Sequence, residues 1–126
     1  MKTIVSIAGA RPQFIKAFIT IKSIKRNTKY KNVLIHTGQH FDYRMSKIFF
    51  NELNYKKDLV QIKLKEKNSR ILKISEMIKK LYFYLKKINP SLIIVYGDTD
   101  TTLAASIVSR RLKIKLMHIE AGLRSN

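Results

Sequence analysis

Apolar residues along this chain switch repeatedly between two spacings. Residues 2–8, KTIVSIA, form a short β-branched run closed by Gly9, the pattern of a buried first strand. Pro12 then suits the first turn of a helix, where its missing N–H removes no bond. Phe14, Ile15, Phe18, Ile21 and Ile24 recur at helical spacing, with Lys16, Lys22 and Lys25 largely off that stripe. NVLIH at 32–36 predicts a second strand, Met45, Ile48, Phe49 and Leu53 a second amphipathic helix, and Asp58 to Leu64 a weak third strand. From Ser69 the helical pattern is strongest: Ile71, Ile74, Ile78, Leu81, Leu85 and Ile88 step by threes and fours until Asn89-Pro90 stops them. Strands at 92–96 and 114–119 bracket a helix from about 100 to 111, whose Leu103, Ala104, Ile107 and Val108 are expected to face the sheet.

Strand and helix alternate throughout, which predicts the α/β class: a Rossmann-like parallel sheet with flanking helices and right-handed crossovers. No linker, repeat or low-complexity tract interrupts the 126 residues, so 1–126 reads as one domain with a single core. No apolar run approaches the roughly 18 residues of a membrane span, and the start leads directly into a strand, which predicts a cytoplasmic protein. The absence of cysteine excludes disulfides and thiolate metal sites, and His36, His40 and His118 show no ligand spacing, so no metal is expected.

A net charge of +18 raises the question of nucleic acid. The lysines are nevertheless spread over helix faces and loops, no run exceeds two basic residues, and the aromatic residues occupy core-like positions, so no stacking platform is evident. Nucleic-acid binding is the lesser alternative.

Chemistry concentrates where strands are expected to end. Gly9-Ala10-Arg11-Pro12 lacks a dinucleotide fingerprint, yet it sets Arg11 at a strand-to-helix junction, with Lys16 one turn further on. Helix N–H groups and a guanidinium can converge there on phosphate or carboxylate; an exposed arginine beside a tight turn is the plainer reading. Thr37-Gly38-Gln39-His40 offers an amide and an imidazole after the second strand, although a loop histidine is more often a surface residue. His36 and His118 sit in apolar strand patterns and read as core or supporting histidines. Asp98-Thr99-Asp100-Thr101 exceeds what a helix cap needs, and the Thr99 and Thr101 hydroxyls would suit a sugar. Glu120 ends the last strand with Arg124 close behind. Asp98 and Glu120 are therefore expected to emerge from neighbouring strands as a pair of acids suited to proton transfer, with Arg124 pairing Glu120 or meeting phosphate.

Four ordered blocks, GARPQFIK at 9–16, HTGQHFDYRMSKIFFNEL at 36–53, VYGDTDTTLA at 95–104 and HIEAGLRSN at 118–126, closely resemble the non-hydrolysing UDP-N-acetylglucosamine 2-epimerase family. The resemblance implies the amino-terminal half of a two-domain glycosyltransferase-B-like fold, with the sugar nucleotide held between two Rossmann-like domains. It implies interconversion of UDP-GlcNAc and UDP-ManNAc without a cofactor, by elimination of UDP across C1 and C2 and its re-addition, in cell-surface polysaccharide biosynthesis. On the matching positions, Asp98 and Glu120 correspond to acids implicated in proton transfer, Arg11 and Lys16 to basic cleft residues, Gln39 and His40 to a loop near the ligand, and Arg124 to the arginine of the Glu-Ala-Gly-Leu-Arg block.

Two departures carry expectations of their own. QIKLKEKNSRILKIS at 61–75 lacks the family's glycine-rich Glu-Gln-Thr element, and the chain stops at Asn126, before the carboxyl-terminal UDP-binding domain. Half a cleft cannot enclose a nucleotide sugar, so the chain alone is expected to be inactive, and to need a complementary chain or to self-associate as a homodimer. A non-catalytic interaction module of the same fold is the alternative, and a hydrolysing epimerase a related one.

Overall fold

The computed structural model describes residues 2–9, 11–26, 29–37, 59–97 and 99–119. In chain order these form β1 (Lys2–Ala8), α1 (Arg11–Lys25), β2 (Tyr30–His36), β3 (Leu59–Gln61), α2 (Arg70–Ile88), β4 (Leu92–Tyr96), α3 (Asp100–Leu112) and β5 (Lys115–Ile119). The expected helix around Met45 to Leu53 lies outside the described residues.

All strand pairs are parallel and the order is β3-β2-β1-β4-β5. A parallel sheet covered on both faces produces continuous apolar strands, as β1, β2 and β4 show. Val5, Ile7, Ile35, Ile93 and Val95 pack on one face against Met77, Leu81 and Leu85 of α2 and Ala104, Ala105 and Val108 of α3. Ile4, Ala8, Leu34, Ile94 and Tyr96 meet Phe14, Ala17, Phe18 and Ile21 of α1 on the other. The Rossmann-like α/β class is what the alternation of spacings predicts. Among the described residues no helix is long and apolar enough to cross a membrane.

Helix ends follow from local chemistry. Ser69 caps α2 by accepting the Leu72 N–H, and Asn89 closes it in the left-handed region at φ 51°, donating its N–H to the Leu85 carbonyl. Thr99 caps α3 by accepting the Thr102 N–H.

Several burial expectations shift. On α3, Leu103 and Ile107 are 49% and 45% exposed, and the sheet-facing stripe is Thr101, Ala104, Ala105 and Val108, small residues that let α3 lie close to both sheet and α2. Ile71 is 78% exposed because it belongs to the first turn of α2, before the seam meets the sheet. Phe83, at 62% exposure, is likewise no core aromatic. His118 is exposed on the edge strand β5, and its Nε2 meets the Gly97 carbonyl oxygen. His36 is buried as expected.

Candidate functional site

The connections from β1 and β4 leave in opposite directions, to α1 on one face and α3 on the other, so a crevice opens between their carboxyl ends. Ligands of open parallel sheets bind at this switch point. Its geometry depends on a few small and polar side chains.

Gly9 is buried where β1 ends, with Thr37 and Thr101 against it; a Cβ at position 9 would collide with both of their hydroxyls. Only glycine lets the backbone pass between them. Those hydroxyls are themselves 3.1 Å apart, and Thr101 Oγ1 lies 3.7 Å from Met77 Sδ. Thr101, 1% exposed, thus forms part of the crevice floor.

Gln13 spans the crevice. Its Oε1 accepts the Gly9 N–H at 2.8 Å, while its Nε2 donates to the Tyr96 carbonyl at 2.6 Å and to Thr99 Oγ1 at 2.9 Å. One buried carboxamide therefore ties the β1–α1 turn to the β4–α3 turn. Sequence reasoning passed over it, although its signal was present: Gln13 is a polar residue in line with Ala17 and Ile21 on the apolar stripe of α1. The β4 turn is further fixed by Gly97, at φ 70°, and by Thr102 Oγ1, which donates toward the Tyr96 and Gly97 carbonyls at 3.2 Å each. Below the crevice, the Ser6 and Tyr96 hydroxyls are 3.0 Å apart, and burial pushes the Tyr96 phenol up.

The sequence-predicted residues distribute as follows. Arg11 opens α1 at the rim, and Lys16 follows one turn later, half-buried. Thr99 is at the rim as cap and as partner of Gln13. Asp98, Gln39, His40, Glu120 and Arg124 lie outside the described residues. Their sequence neighbours are nevertheless joined: the Gly97 N–H, one residue before position 98, donates to the carbonyl of Ile119, one residue before position 120, at 2.9 Å.

Asp100, the other carboxylate of the Asp98-Thr99-Asp100-Thr101 run, has a different engagement. Arg70 grips it from α2, with Nε 3.1 and 3.0 Å from its two oxygens and Nη2 2.7 Å from Oδ1. Hydrogen bonding to Arg70 holds its carboxyl below the usual range. This fork ties the amino ends of α2 and α3 together.

Residues 22–126 match the family described as UDP-N-acetylglucosamine 2-epimerase. The chain belongs to that family. A UDP-N-acetylglucosamine 2-epimerase homolog of Methanococcus maripaludis is 44% identical over 122 residues, covering 97% of this chain and 33% of the relative. The UDP-2,3-diacetamido-2,3-dideoxy-D-glucuronate 2-epimerase of Pseudomonas aeruginosa is 39% identical over 97% of this chain and 34% of its own length. Among solved structures, the Methanocaldococcus jannaschii UDP-GlcNAc 2-epimerase in complex with UDP-GlcNAc and UDP superposes with a TM-score of 0.81 at 34% identity, over 98% of this chain and 33% of that one. The chain thus spans about a third of the length of the curated relatives it matches. Its sheet corresponds to a third of epimerases with the glycosyltransferase-B-like fold.

Proposed function

We propose that this chain supplies the amino-terminal wall of a sugar-nucleotide cleft, in which a UDP-2-acetamido sugar is inverted at C2 by elimination and re-addition of UDP. In this reading residues 1–126 are one Rossmann-like domain, and the carboxyl-terminal domain that would hold UDP is supplied by the remaining two-thirds of a relative-length protein. The observation that carries the reading is the tie between Gly97 and Ile119, in a family member, at the rim of adjacent parallel strands. The residues that follow each in sequence, Asp98 and Glu120, are the proposed proton-transfer acids.

In the elimination step one acid removes the C2 proton while the C1–O bond to UDP breaks, leaving a glycal and UDP. Re-addition returns the UDP oxygen to C1 and a proton to C2 on the opposite face. A base must reach a carbon-bound proton at close range, and two neighbouring acids raise each other's proton affinity, which suits them to alternate between accepting and donating. Arg11, Lys16 and Arg124 are assigned to the negative charge that gathers on the departing diphosphate. Thr99, Gln39 and His40 are assigned to the sugar, with Thr101 supporting them from the floor.

UDP-GlcNAc is the proposed substrate. The 39% identity to the diacetamido-glucuronate epimerase, beside 40% to a Methanococcus maripaludis UDP-GlcNAc 2-epimerase, favours a second reading in which the sugar carries a carboxylate and a further acetamido group. Both share the same C2 chemistry.

The test is a chimera in which residues 1–126 replace the matching third of the Methanocaldococcus jannaschii enzyme. We expect the chimera to form UDP-ManNAc from UDP-GlcNAc, the 126-residue chain alone to form none, and Asp98→Asn or Glu120→Gln to lower kcat in the chimera by about 100-fold or more. A folded chimera active with neither sugar nucleotide, or one indifferent to both substitutions, would overturn the assignment. Robust turnover by the chain alone would overturn its dependence on the remainder.

A further inference from the structure

Four lysines, Lys63, Lys65, Lys79 and Lys80, line a groove along the outer strand β3, away from the switch point. After Gln61 the chain buries Ile62 and half-buries Leu64, while Lys63 and Lys65 stay exposed at alternate positions. This segment is fastened along α2. The Glu76 carboxylate accepts the Lys65 and Glu66 N–H groups at 2.9 Å each, and Lys80 bridges to Glu76 at 2.9 Å while donating to the Lys63 carbonyl. Glu66 accepts the Asn68 and Ser69 N–H groups at 2.9 and 3.1 Å, completing a fixed wall.

The other wall is α2 itself, presenting Lys79, Phe83 and Tyr84 to a groove of about 680 Å³. Phe83 is 62% exposed, its ring edge-on to Tyr84 with centroids 5.5 Å apart. The one acid lining the groove among the described residues, Glu76, is already matched by Lys80 and two N–H groups, which leaves Lys63, Lys65 and Lys79 as a local excess of positive charge beside an apolar ring.

We propose that this groove binds an extended acidic peptide, its carboxylates on Lys63, Lys65 and Lys79 and an apolar side chain against Phe83. Alternate residues of an extended chain repeat every ~7 Å, so lysines two apart on the wall match carboxylates two apart on the ligand. Charge steers and orients such a peptide, and the ring provides the surface whose desolvation holds it. A single-stranded nucleic acid would want successive rings for its bases, commonly with arginine stacking; among the described residues this groove has one well-exposed ring and no arginine in its lining.

Fluorescence anisotropy tests this with the full 126-residue chain and a fluorescein-labelled octapeptide alternating glutamate and leucine. We expect saturable binding that Lys63→Glu/Lys65→Glu/Lys79→Glu weakens about tenfold or more and Phe83→Ala about threefold. The control Lys2→Glu/Lys22→Glu/Lys115→Glu, with the same charge change elsewhere, should weaken it by less than about threefold. Equal losses in the two triple variants would reduce the effect to diffuse charge, and absence of saturable binding would remove the site. Tighter binding of an octauridylate, lost in the groove variant, would reassign the groove to nucleic acid. Circular dichroism checks each variant's fold; should the groove triple variant not fold, unchanged affinity in Phe83→Ala overturns the proposal alone.

Discussion

His36 shows how burial alone reshapes a side chain's chemistry. It is 1% exposed at the end of β2, its ring 4.7 Å from that of Phe14, and desolvation pushes its imidazole down from 6.5 to about 4. The folded chain therefore binds this proton less readily than the unfolded chain does. Stability should be level in this respect above pH 6.5 and decline as pH falls toward 4, by roughly 3 kcal/mol in all. Denaturant melts of the chain and of His36→Phe at pH 7.5, 5.5 and 4.5 measure it: the difference between the two proteins should change with pH, and parallel curves would exclude the effect. The apolar run around His36 made its burial readable from sequence. The role of Gln13 was harder to read, because partners such as Tyr96 and Thr99 lie up to 86 residues away and nothing in α1 alone indicates them.

Among elements, α2 shows where periodicity reads correctly and where it overreaches. Its seam was legible as a stripe of threes and fours, and Leu81 and Leu85 are fully buried on it. Spacing says which residues share a face but not how far along the helix the sheet extends, so Ile71 appeared on the seam although the structure leaves it 78% exposed. Leu81→Ala should cost about 2–5 kcal/mol through the cavity it leaves, and Ile71→Ala no more than about 0.5 kcal/mol. Urea denaturation of the two variants distinguishes them; similar losses would mean that α2 packs differently. On α3 the same limit reverses two assignments: Leu103 and Ile107 are hydrophobic enough to seem core, but the close approach of α2 selects Ala104 and Ala105. Strand order, and with it the switch point, comes from pairing across the chain and had to be seen. The Arg70–Asp100 fork was likewise illegible, being 30 residues apart in sequence.

For the whole molecule, 26 basic residues against 8 acidic ones leave self-repulsion as a standing opponent of the folded state. Raising sodium chloride from about 10 mM to about 200 mM shortens the screening length from ~30 Å to under ~8 Å and should raise Tm. Thermal melts across that range test this, and a flat or falling Tm would show that local pairs such as Lys80–Glu76 outweigh the net charge. The carboxamide of Gln13 bears on motion at the same scale. Because it fastens both turns at once, it opposes separation of the two lips of the crevice. A bound molecule would then meet a braced rim, which serves as the anvil for whatever presses on its other side.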